Sequence, residues 1–363
     1  MTQKFYSPTA INKKGATYNM VFGERSNGKT YALLKQTLKE YFKSKKQMAY
    51  VRRWKEDITG RRAQQLYAGI NEHGLVEQFS GGEFKGVHYY AGKWYLCTYD
   101  TNGKAVYSDR DIIAFAFSLS DVEHDKSTSF PAVGTIVFDE FLSAKLYIAD
   151  EFVQFMNVVS TIVRRREDVK VYMLGNTVNK YCPYFEEMGL ANVSKMKQGT
   201  IDVYKYGDST LSVAVEYCAP TADVSKGTHK YFAFNNPKLQ MITGGAWEMS
   251  IYPHLPMKYT NKDVLLSFFI CFSENIYQCE VVLVGDVKFI YIHNKTTPIR
   301  DETNDLIYSL EPRPENNYNR SIYKPTSKIQ EKIRWFFMNS RVFYQDNNVG
   351  DAISNYLKIC KTL

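Results

Sequence analysis

GERSNGKT, residues 23–30, matches the phosphate-binding pattern GxxxxGK[ST] at every fixed position. It follows a short apolar run, YNMVFG at 18–23, and precedes a segment from Lys29 to Phe42 whose apolar residues recur at helical spacing. A strand before the loop and a helix after it are the context that this pattern requires. The sequence therefore predicts a P-loop, which binds nucleotide phosphates at the start of a helix.

The residues of this loop have separate tasks. Glycines let backbone N–H groups curl around phosphate oxygens, Lys29 reaches the β- and γ-phosphates, and Thr30 ligates magnesium. The predicted cofactors are therefore ATP and Mg²⁺. The loop residues expected to contact ATP from this pattern are Gly23, Asn27, Gly28, Lys29 and Thr30.

An apolar run that ends in two carboxylates, TIVFDEF at 135–141, supplies the acidic partner that a P-loop needs. Asp139 is the expected Mg²⁺-associated carboxylate, and Glu140 is expected to polarise the attacking water. Such a run is also typical of a strand that leaves the core, but its pairing with the P-loop favours the catalytic interpretation. A glutamate here favours an ATPase, because GTPases orient water with glutamine. The nearest match to a guanine-specificity NKxD motif, Asn179–Cys182, has cysteine in place of the aspartate.

Two further polar sites follow in the chain. Asn176 ends the next predicted strand, VKVYMLGN at 169–176, where its amide could sense the γ-phosphate or simply form a turn. Arg164, Arg165 and Arg166 end a helical segment that begins at Glu151. One of these arginines fits a finger that stabilises a dissociating phosphoryl group, in a neighbouring subunit. Pairing with the helix C-terminus or with nearby carboxylates explains one or two of the three equally well.

The alternation of strands and helices predicts an α/β P-loop domain with a mostly parallel sheet, spanning 1–197. Residues 60–110, rich in Gly and Tyr and containing an Asn-Gly turn, predict a β-rich insertion. Prolines scattered among Gly and Asn predict a linker at 198–262. Three consecutive strands and two helical patterns predict a small α+β C-terminal domain at 263–363.

Composition limits the class of protein and indicates a partner. No apolar run reaches the roughly 18 residues of a membrane span, and the N-terminus does not resemble a signal peptide, which predicts a soluble protein that stays in its cell. The net charge is +8, and the segment 43–62 alone carries eight basic residues against two acidic ones. This favours a polyanionic partner such as DNA, although a solvated basic face explains it equally well. Arg52, Arg53 and Lys55 are candidates for DNA contact or nucleotide sensing.

These residues together resemble the DNA-packaging (encapsidation) ATPases of small short-tailed, phi29-like bacteriophages. The resemblance rests on motifs spread through much of the chain, which are more specific together than the P-loop alone. They are Arg25 within the P-loop, YVRRWK at 50–55, TIVFDEF at 135–141, VRRRE at 163–167, Asn176, and PYF at 183–185.

The resemblance implies an additional-strand, catalytic-glutamate ATPase that forms a ring, with five subunits expected, and drives double-stranded DNA through a capsid portal. By position, Arg164 resembles the trans-acting finger, Arg25 the P-loop arginine that contacts ATP, and Asn176 the hydrolysis sensor. A packaging RNA is a further candidate partner, and no membrane is expected. The implied location is the cytoplasm of the infected bacterium, transiently at the portal and not in the mature virion.

The family's second domain resembles a terminase nuclease of RNase H type. Such chemistry needs clustered carboxylates that hold two metals, with an aspartate on the first strand. Here that strand, LLSFFICF at 265–272, contains none, and Glu280 and Asp286 are the nearest acidic residues. We therefore predict a vestigial, nuclease-inactive RNase H-like domain that binds nucleic acid or docks to the capsid.

Three other functions remain open from the sequence. A P-loop helicase or another DNA-stimulated ATPase not tied to packaging shares nearly every motif. A small-molecule kinase also uses a P-loop but has no need of a glutamate beside the Mg²⁺-associated aspartate. A nucleotide-gated interaction module would function without hydrolysis.

Overall fold

The computed structural model describes residues 5–121, 128–143, 147–148, 150–177, 181–219, 252–255, 257–361 and 363. The chain divides into two compact units. Unit 1 comprises Met1–Ala144 and Asp150–Glu248, and unit 2 comprises Lys145–Ala149 and Met249–Leu363.

The described part of unit 1 contains seven α-helices and nine strands. The helices are α1 (Thr9–Asn12), α2 (Lys29–Ser44), α3 (Gly60–Gln65), α4 (Ala68–Glu72), α5 (Leu75–Ser80), α6 (Glu151–Val163) and α7 (Pro183–Glu187). The strands are β1 (Tyr18–Gly23), β2 (Gln47–Arg52), β3 (Gly86–Tyr90), β4 (Lys93–Tyr99), β5 (Ala105–Ser118), β6 (Val133–Asp139), β7 (Lys170–Asn176), β8 (Thr200–Lys205) and β9 (Ser212–Tyr217).

These nine strands form one sheet in the order β3-β4-β5-β2-β6-β7-β1-β9-β8. The six strands from β5 to β9 in this order run parallel. At the two edges, β3 pairs antiparallel with β4, β4 with β5, and β8 with β9. The predicted mostly parallel sheet of an α/β domain is therefore confirmed.

The central strands are covered on both faces. Strands β1 and β6 are buried along their whole length. Val137 of β6 belongs to the same core cluster as Leu33 and Leu34 of α2, whereas the ring of Phe138 stacks on Phe155 of α6 with 5.0 Å between centroids. Because successive side chains of a strand point to opposite faces, α2 and α6 lie on opposite faces of the sheet.

Residues 60–110 contain more helix than the sequence predicts. The hairpin of β4 and β5 turns through Thr101–Gly103 as expected, with Gly103 at φ +76°. Helices α3, α4 and α5, each of five or six residues, precede it. They are too short to produce a clear helical period in the sequence.

The structure corrects the predicted domain boundary at residue 197 and the linker that follows it. Strands β8 and β9 lie within the predicted linker, but β9 pairs in parallel with β1 from Tyr18↔Val213 to Phe22↔Tyr217. Val213, Ala214 and Val215 are buried. These strands belong to unit 1 because they complete its sheet beside the strand that leads to the P-loop. Residues 220–251 of the predicted linker lie outside the described residues.

Unit 2 has six strands and two helices among its described residues. The strands are β10 (Val264–Phe272), β11 (Asn275–Val284), β12 (Val287–Lys295), β13 (Ile307–Ser309), β14 (Tyr318–Asn319) and β15 (Val342–Tyr344), and the helices are α8 (Lys328–Met338) and α9 (Asn347–Cys360). Their order in the sheet is β14-β13-β10-β11-β12-β15. The predicted antiparallel meander, β10 to β12, is confirmed, and β13, β14 and β15 pair in parallel with their neighbours.

Side-chain caps fix the starts of both unit 2 helices. The Ser327 side chain accepts a hydrogen bond from the Gln330 N–H, and the Asp346 carboxylate accepts from the N–H groups of Asn348 and Val349. Across the described ranges of both units, no helix has the length and apolarity to cross a membrane.

Candidate nucleotide-hydrolysis site

The sheet order brings the predicted site residues together at the carboxyl ends of the central parallel strands. Strands β6, β7 and β1 are neighbours and parallel, so their carboxyl ends meet there. Gly23 pairs with Asn176, and Asp139 pairs with Leu174. Consequently the P-loop after β1, the two carboxylates at the end of β6 and the asparagine at the end of β7 all face one region.

Lys29, at the first turn of α2, is buried and held by polar groups of the loop. Its Nζ donates to the Glu24 carbonyl at 2.6 Å, the Asn27 Oδ1 at 3.0 Å and the Asn176 Oδ1 at 3.3 Å. Burial lowers the pKa of Lys29, and the Asp139 carboxylate opposes this shift. The structure thus joins Lys29 to Asn176, two residues that the sequence assigns to the γ-phosphate.

Asp139 is the centre of a second group of hydrogen bonds. Its Oδ2 accepts from the Thr30 hydroxyl at 2.9 Å and from the Tyr50 hydroxyl at 2.8 Å, and its Oδ1 accepts from the Glu140 N–H at 3.0 Å. A hydroxyl and a carboxylate beside a phosphate-binding loop are oxygen ligands of the kind that Mg²⁺ prefers. Thr30 and Asp139 therefore fit the predicted metal-binding pair.

Tyr50 is a member of the site that sequence reasoning missed. Burial, followed by the Asp139 charge, raises the pKa of Tyr50 well above its usual value, so the phenol stays protonated and donates to Asp139. A tyrosine within an apolar strand gives no signal in the sequence beyond core packing. Its role becomes visible only when β2 lies beside β6 in the sheet.

Glu140 has a left-handed backbone conformation, with φ at +62°. Its side chain is 57% exposed and pairs with Arg52, whose Nη2 lies 2.6 Å from Oε2. Arg52 also approaches the Asp57 carboxylate at 3.4 Å. The predicted water-polarising carboxylate thus stands at the open side of the site, in an ion pair with the strand next to its own.

Arg53 contacts protein groups in the interior. Its Nε and Nη2 donate to the two carboxylate oxygens of Glu151 at 2.7 and 2.8 Å. The same guanidinium donates to the backbone carbonyls of Glu140 at 3.0 Å and Phe141 at 2.8 Å. The structure corrects the prediction of a DNA contact for Arg53, because this side chain is only 7% exposed and its donors are engaged.

Lys55, the third residue of the predicted DNA-contacting group, remains accessible. Its side chain is 61% exposed and its Nζ lies 2.6 Å from the Asp121 carboxylate. An exposed pair of this kind contributes little to stability and can exchange partners. DNA contact by Lys55 or Arg52 remains a prediction.

The three consecutive arginines lie near the opposite, amino ends of the parallel strands. Arg166 donates to the carbonyls of Val133, at the start of β6, and of Ile162 in α6. Arg164 donates to the Thr128 carbonyl at 2.8 Å, and both Arg164 and Arg165 are exposed. Seven-residue β6 separates this edge from Asp139, a length of roughly 20 Å. None of the three arginines is therefore placed to reach the P-loop of its own chain.

A segment before β1 covers one side of the P-loop. The Tyr6 N–H donates to the Asn27 carbonyl at 2.9 Å, and the Tyr6 hydroxyl donates to Glu216 at 2.9 Å. A Cβ added to Gly28, at φ +86°, would stand 3.2 Å from the Phe5 ring. Arg25 is exposed on the loop. Sequence reasoning did not identify Phe5 or Tyr6, which precede the motif by about 20 residues.

The chain matches a family of known proteins over more than half of its length. A family model described as Podovirus DNA encapsidation protein (Gp16) matches residues 2–206. A DNA packaging protein of Bacillus phage B103 is 30% identical over 175 residues, which are 47% of this chain and 48% of that protein. The chain thus matches about half the length of this curated relative.

Two solved structures share the fold over almost the whole chain. The Phi-28 gp11 DNA packaging motor has a TM-score of 0.57 at 18% identity, covering 99% of both chains. The bacteriophage Phi-29 viral genome packaging motor assembly has a TM-score of 0.57 at 22% identity, covering 98% of this chain and 99% of that one. At these identities the likeness establishes a shared fold.

Proposed function

Because the chain belongs to the Podovirus DNA encapsidation protein (Gp16) family, we propose that it hydrolyses ATP to drive double-stranded DNA into a preformed capsid. The observation that carries this proposal is the meeting of Lys29, Thr30 and Asp139 at one sheet edge, with Glu140 directly beyond them. These are the parts that a P-loop ATPase needs to bind a nucleotide and to attack its γ-phosphate.

The P-loop groups bind and orient ATP. Lys29 exchanges its hydrogen bonds to loop oxygens for the β- and γ-phosphates, while the loop N–H groups and the start of α2 supply positive potential. Thr30 and Asp139 would hold Mg²⁺, which would neutralise charge on these phosphates. Arg25 on the loop and Asn176 beside Lys29 add contacts to the γ-phosphate, and Asn176 senses its loss.

Glu140 orients and polarises the attacking water. Its exposed carboxylate is paired with Arg52 here, and it must turn from this partner toward the γ-phosphate to act. The Glu140 carboxylate is more than half exposed in this ion pair, so the pair is weak and the rearrangement exchanges one polar partner for another. The reaction is phosphoryl transfer to water, in which positioning and electrostatic stabilisation supply most of the rate enhancement.

The finger acts between subunits of a ring. Arg164 lies near the amino ends of the parallel strands, whereas the site of its own chain lies at their carboxyl ends. The Arg164 side chain is exposed. In a closed head-to-tail ring, one surface of each subunit meets a different surface of the next, so the Arg164 surface of one subunit can meet the P-loop surface of its neighbour. We propose a homo-oligomeric ring, with five subunits expected, in which Arg164 completes the neighbour's site.

The proposed partners are double-stranded DNA, the capsid portal and, as a further candidate, a packaging RNA. Basic residues such as Lys55 neutralise DNA phosphates, which makes binding dependent on salt concentration. The place of action is the cytoplasm of the infected bacterium, at the portal during packaging.

Unit 2 is proposed to be a nuclease-inactive RNase H-like domain that binds nucleic acid or the capsid. Residues 60–110 of unit 1 are proposed to be the insertion. Support for the nuclease-like fold comes from its three antiparallel strands, followed by β13, which pairs in parallel with β10, and β14, which pairs in parallel with β13. Within the described ranges, no three His, Cys, Asp or Glu side chains lie where they could hold a metal ion. Glu280 instead pairs with His293 at 3.7 Å.

A DNA-stimulated ATPase that is not tied to packaging, such as a helicase, is the second candidate, because it requires the same site. The test measures ATP turnover by the wild type and Glu140→Gln with and without double-stranded DNA, together with ATP-dependent filling of empty capsids. We expect DNA to stimulate the wild type, Glu140→Gln to lose at least about 100-fold in kcat, and capsids to protect intact DNA. An ATP turnover rate that is the same with and without DNA would reject DNA translocation. Stimulation by DNA without filling of capsids would favour the ATPase that is not tied to packaging. Metal-dependent cleavage of DNA would contradict the inactive nuclease.

A further inference from the structure

Arg53 and Glu151 form a buried ion pair that the proposed hydrolysis mechanism does not use. The Arg53 side chain is 7% exposed and that of Glu151 is 0% exposed. Both carboxylate oxygens accept from the guanidinium, and Oε1 also accepts from the Tyr184 hydroxyl at 2.8 Å. Desolvating two charges is costly, and an ion pair alone often does not recover that cost. The location of this pair therefore calls for a functional reason.

The guanidinium is also bonded to the backbone of the catalytic segment. Arg53 Nη1 and Nη2 donate to the carbonyls of Glu140 and Phe141, while the Phe141 N–H donates to the Leu174 carbonyl at 3.1 Å. These bonds act where the chain leaves β6 and where Glu140 takes a positive φ of 62°. A non-glycine residue persists in that region only when its surroundings hold it there.

We propose that Arg53 and Glu151 are positioning residues that fix the backbone of Glu140 and so aim its carboxylate. Glu151 fixes the guanidinium plane from the first turn of α6, and the guanidinium fixes the two carbonyls. The planar fork of arginine suits this task, because it presents several donors in fixed directions. The inference deepens the proposed function and rests on Glu140 as the group that activates water.

The test removes the carbonyl bonds without leaving a buried charge. The double variant Arg53→Met/Glu151→Leu replaces the pair by apolar side chains of similar size, a change that cores often tolerate. Lys170→Met is the matched control, because Lys170 also donates to two carbonyls, those of Gly15 and Ala16 at 3.2 Å each, away from the P-loop. Each protein is assayed for its melting temperature, its affinity for a fluorescent ATP analogue and its kcat.

We expect the double variant to bind the analogue within about threefold of wild type, because Lys29 and Thr30 are unchanged, and to lose at least about tenfold in kcat. Lys170→Met should retain both. A folded double variant with wild-type kcat would overturn the proposal. Should the double variant fail to fold, Arg53→Lys supplies the same comparison, because it keeps the charge and loses the fork.

Mixing experiments separate a positioning defect from general damage. If the pair acts through Glu140 of the same chain, the double variant retains a working Arg164 and restores turnover to Arg164→Ala subunits. It should not restore turnover to Glu140→Gln subunits. Failure to rescue Arg164→Ala, when Glu140→Gln does rescue it, would overturn the proposal. If Glu140→Gln also fails to rescue, the shared-site ring is wrong, and the kcat comparison still decides the role of Arg53.

Discussion

Thr30 and Asp139 meet at 2.9 Å although 109 residues separate them in the chain. The hydroxyl donates to the carboxylate here, and the same two oxygens face the region where a nucleotide-bound Mg²⁺ would lie. Tyr50 donates to the same carboxylate oxygen at 2.8 Å. The Asp139 side chain is therefore fixed before ATP arrives, which reduces the rearrangement that metal binding requires.

The Thr30 hydroxyl can be tested by two substitutions of similar size. Thr30→Val removes the oxygen and keeps the branched shape, whereas Thr30→Ser keeps the oxygen. We expect Thr30→Val to lower ATP turnover at limiting Mg²⁺ by roughly 10- to 100-fold, the scale of a lost interaction with a charged group. Thr30→Ser should stay within about threefold of wild type at the same Mg²⁺. Equal Mg²⁺ titrations for Thr30→Val and wild type would exclude a metal-binding role.

Glu280 and His293 make the stability of unit 2 depend on pH. Their contact, together with hydrogen bonds from Tyr259 and Gln278, lowers the pKa of Glu280 to about 2, and the contact raises the pKa of His293 above its usual value. A histidine with a raised folded pKa stabilises the fold fully below its unfolded pKa, roughly 6.5, and loses that contribution as the pH rises through the folded pKa. Glu280 contributes above its unfolded pKa, roughly 4.3, and loses its contribution as the pH falls towards 2.

As the pH rises from 6 to 8, loss of the His293 contribution should lower the free energy of unfolding of unit 2 by up to about 1 kcal/mol. The effect is small because the pair is partly exposed. His293→Gln should remove that dependence, because its amide does not titrate. Urea unfolding at the two pH values measures the difference. The same fall with pH in both proteins would exclude this pair as its cause.

Among the elements, β9 completes the sheet beside β1, and its sequence alone does not predict this pairing. It forms the partner strand of β1 on the side away from β7, and its Cys218 N–H, directly after the strand, donates to the Phe22 carbonyl at 2.8 Å. Without β9, the backbone of β1 would be exposed just before the P-loop. An uncovered edge strand is prone to aggregate.

Two truncated chains test this boundary. A chain ending at residue 219 keeps β8 and β9, whereas a chain ending at 197 matches the boundary predicted from sequence. We expect the longer chain to unfold cooperatively and the shorter one to aggregate or to melt at least about 10 °C lower, because several buried side chains of β9 are lost. A chain ending at 197 that melts cooperatively at the temperature of the longer one would contradict the assignment of β9 to this sheet.

The contrast between β1 and β9 illustrates what sequence can predict here. The P-loop, α2 and the carboxylates after β6 were predictable because each is encoded by a local pattern of glycine, charge and apolar spacing. Short β8 and β9 follow a region with little periodicity. The bonds from Arg53 to Glu151, 98 residues apart, have no local pattern and become visible only when β2, β6 and α6 pack together.

At the scale of the whole molecule, unit 1 places its proposed catalytic residues at the two opposite ends of its parallel strands. The groups proposed to bind and attack ATP lie at the carboxyl ends of the parallel strands, and Arg164 lies at the amino ends. Helix α6 runs between these two ends, with Glu151 in its first turn and Arg164 just beyond its last residue. Arg164 lies away from the P-loop of its own chain, so the finger role proposed for it requires a neighbouring copy.

ATP turnover by mixed subunits tests this requirement most directly. Glu140→Gln and Arg164→Ala are assayed alone and mixed, all with double-stranded DNA. We expect each variant alone to be inactive and mixing to restore part of the wild-type rate, because some interfaces then join an intact Glu140 to an intact Arg164. Full turnover by Arg164→Ala alone, or no recovery on mixing two folded, oligomeric variants, would contradict a site shared between subunits.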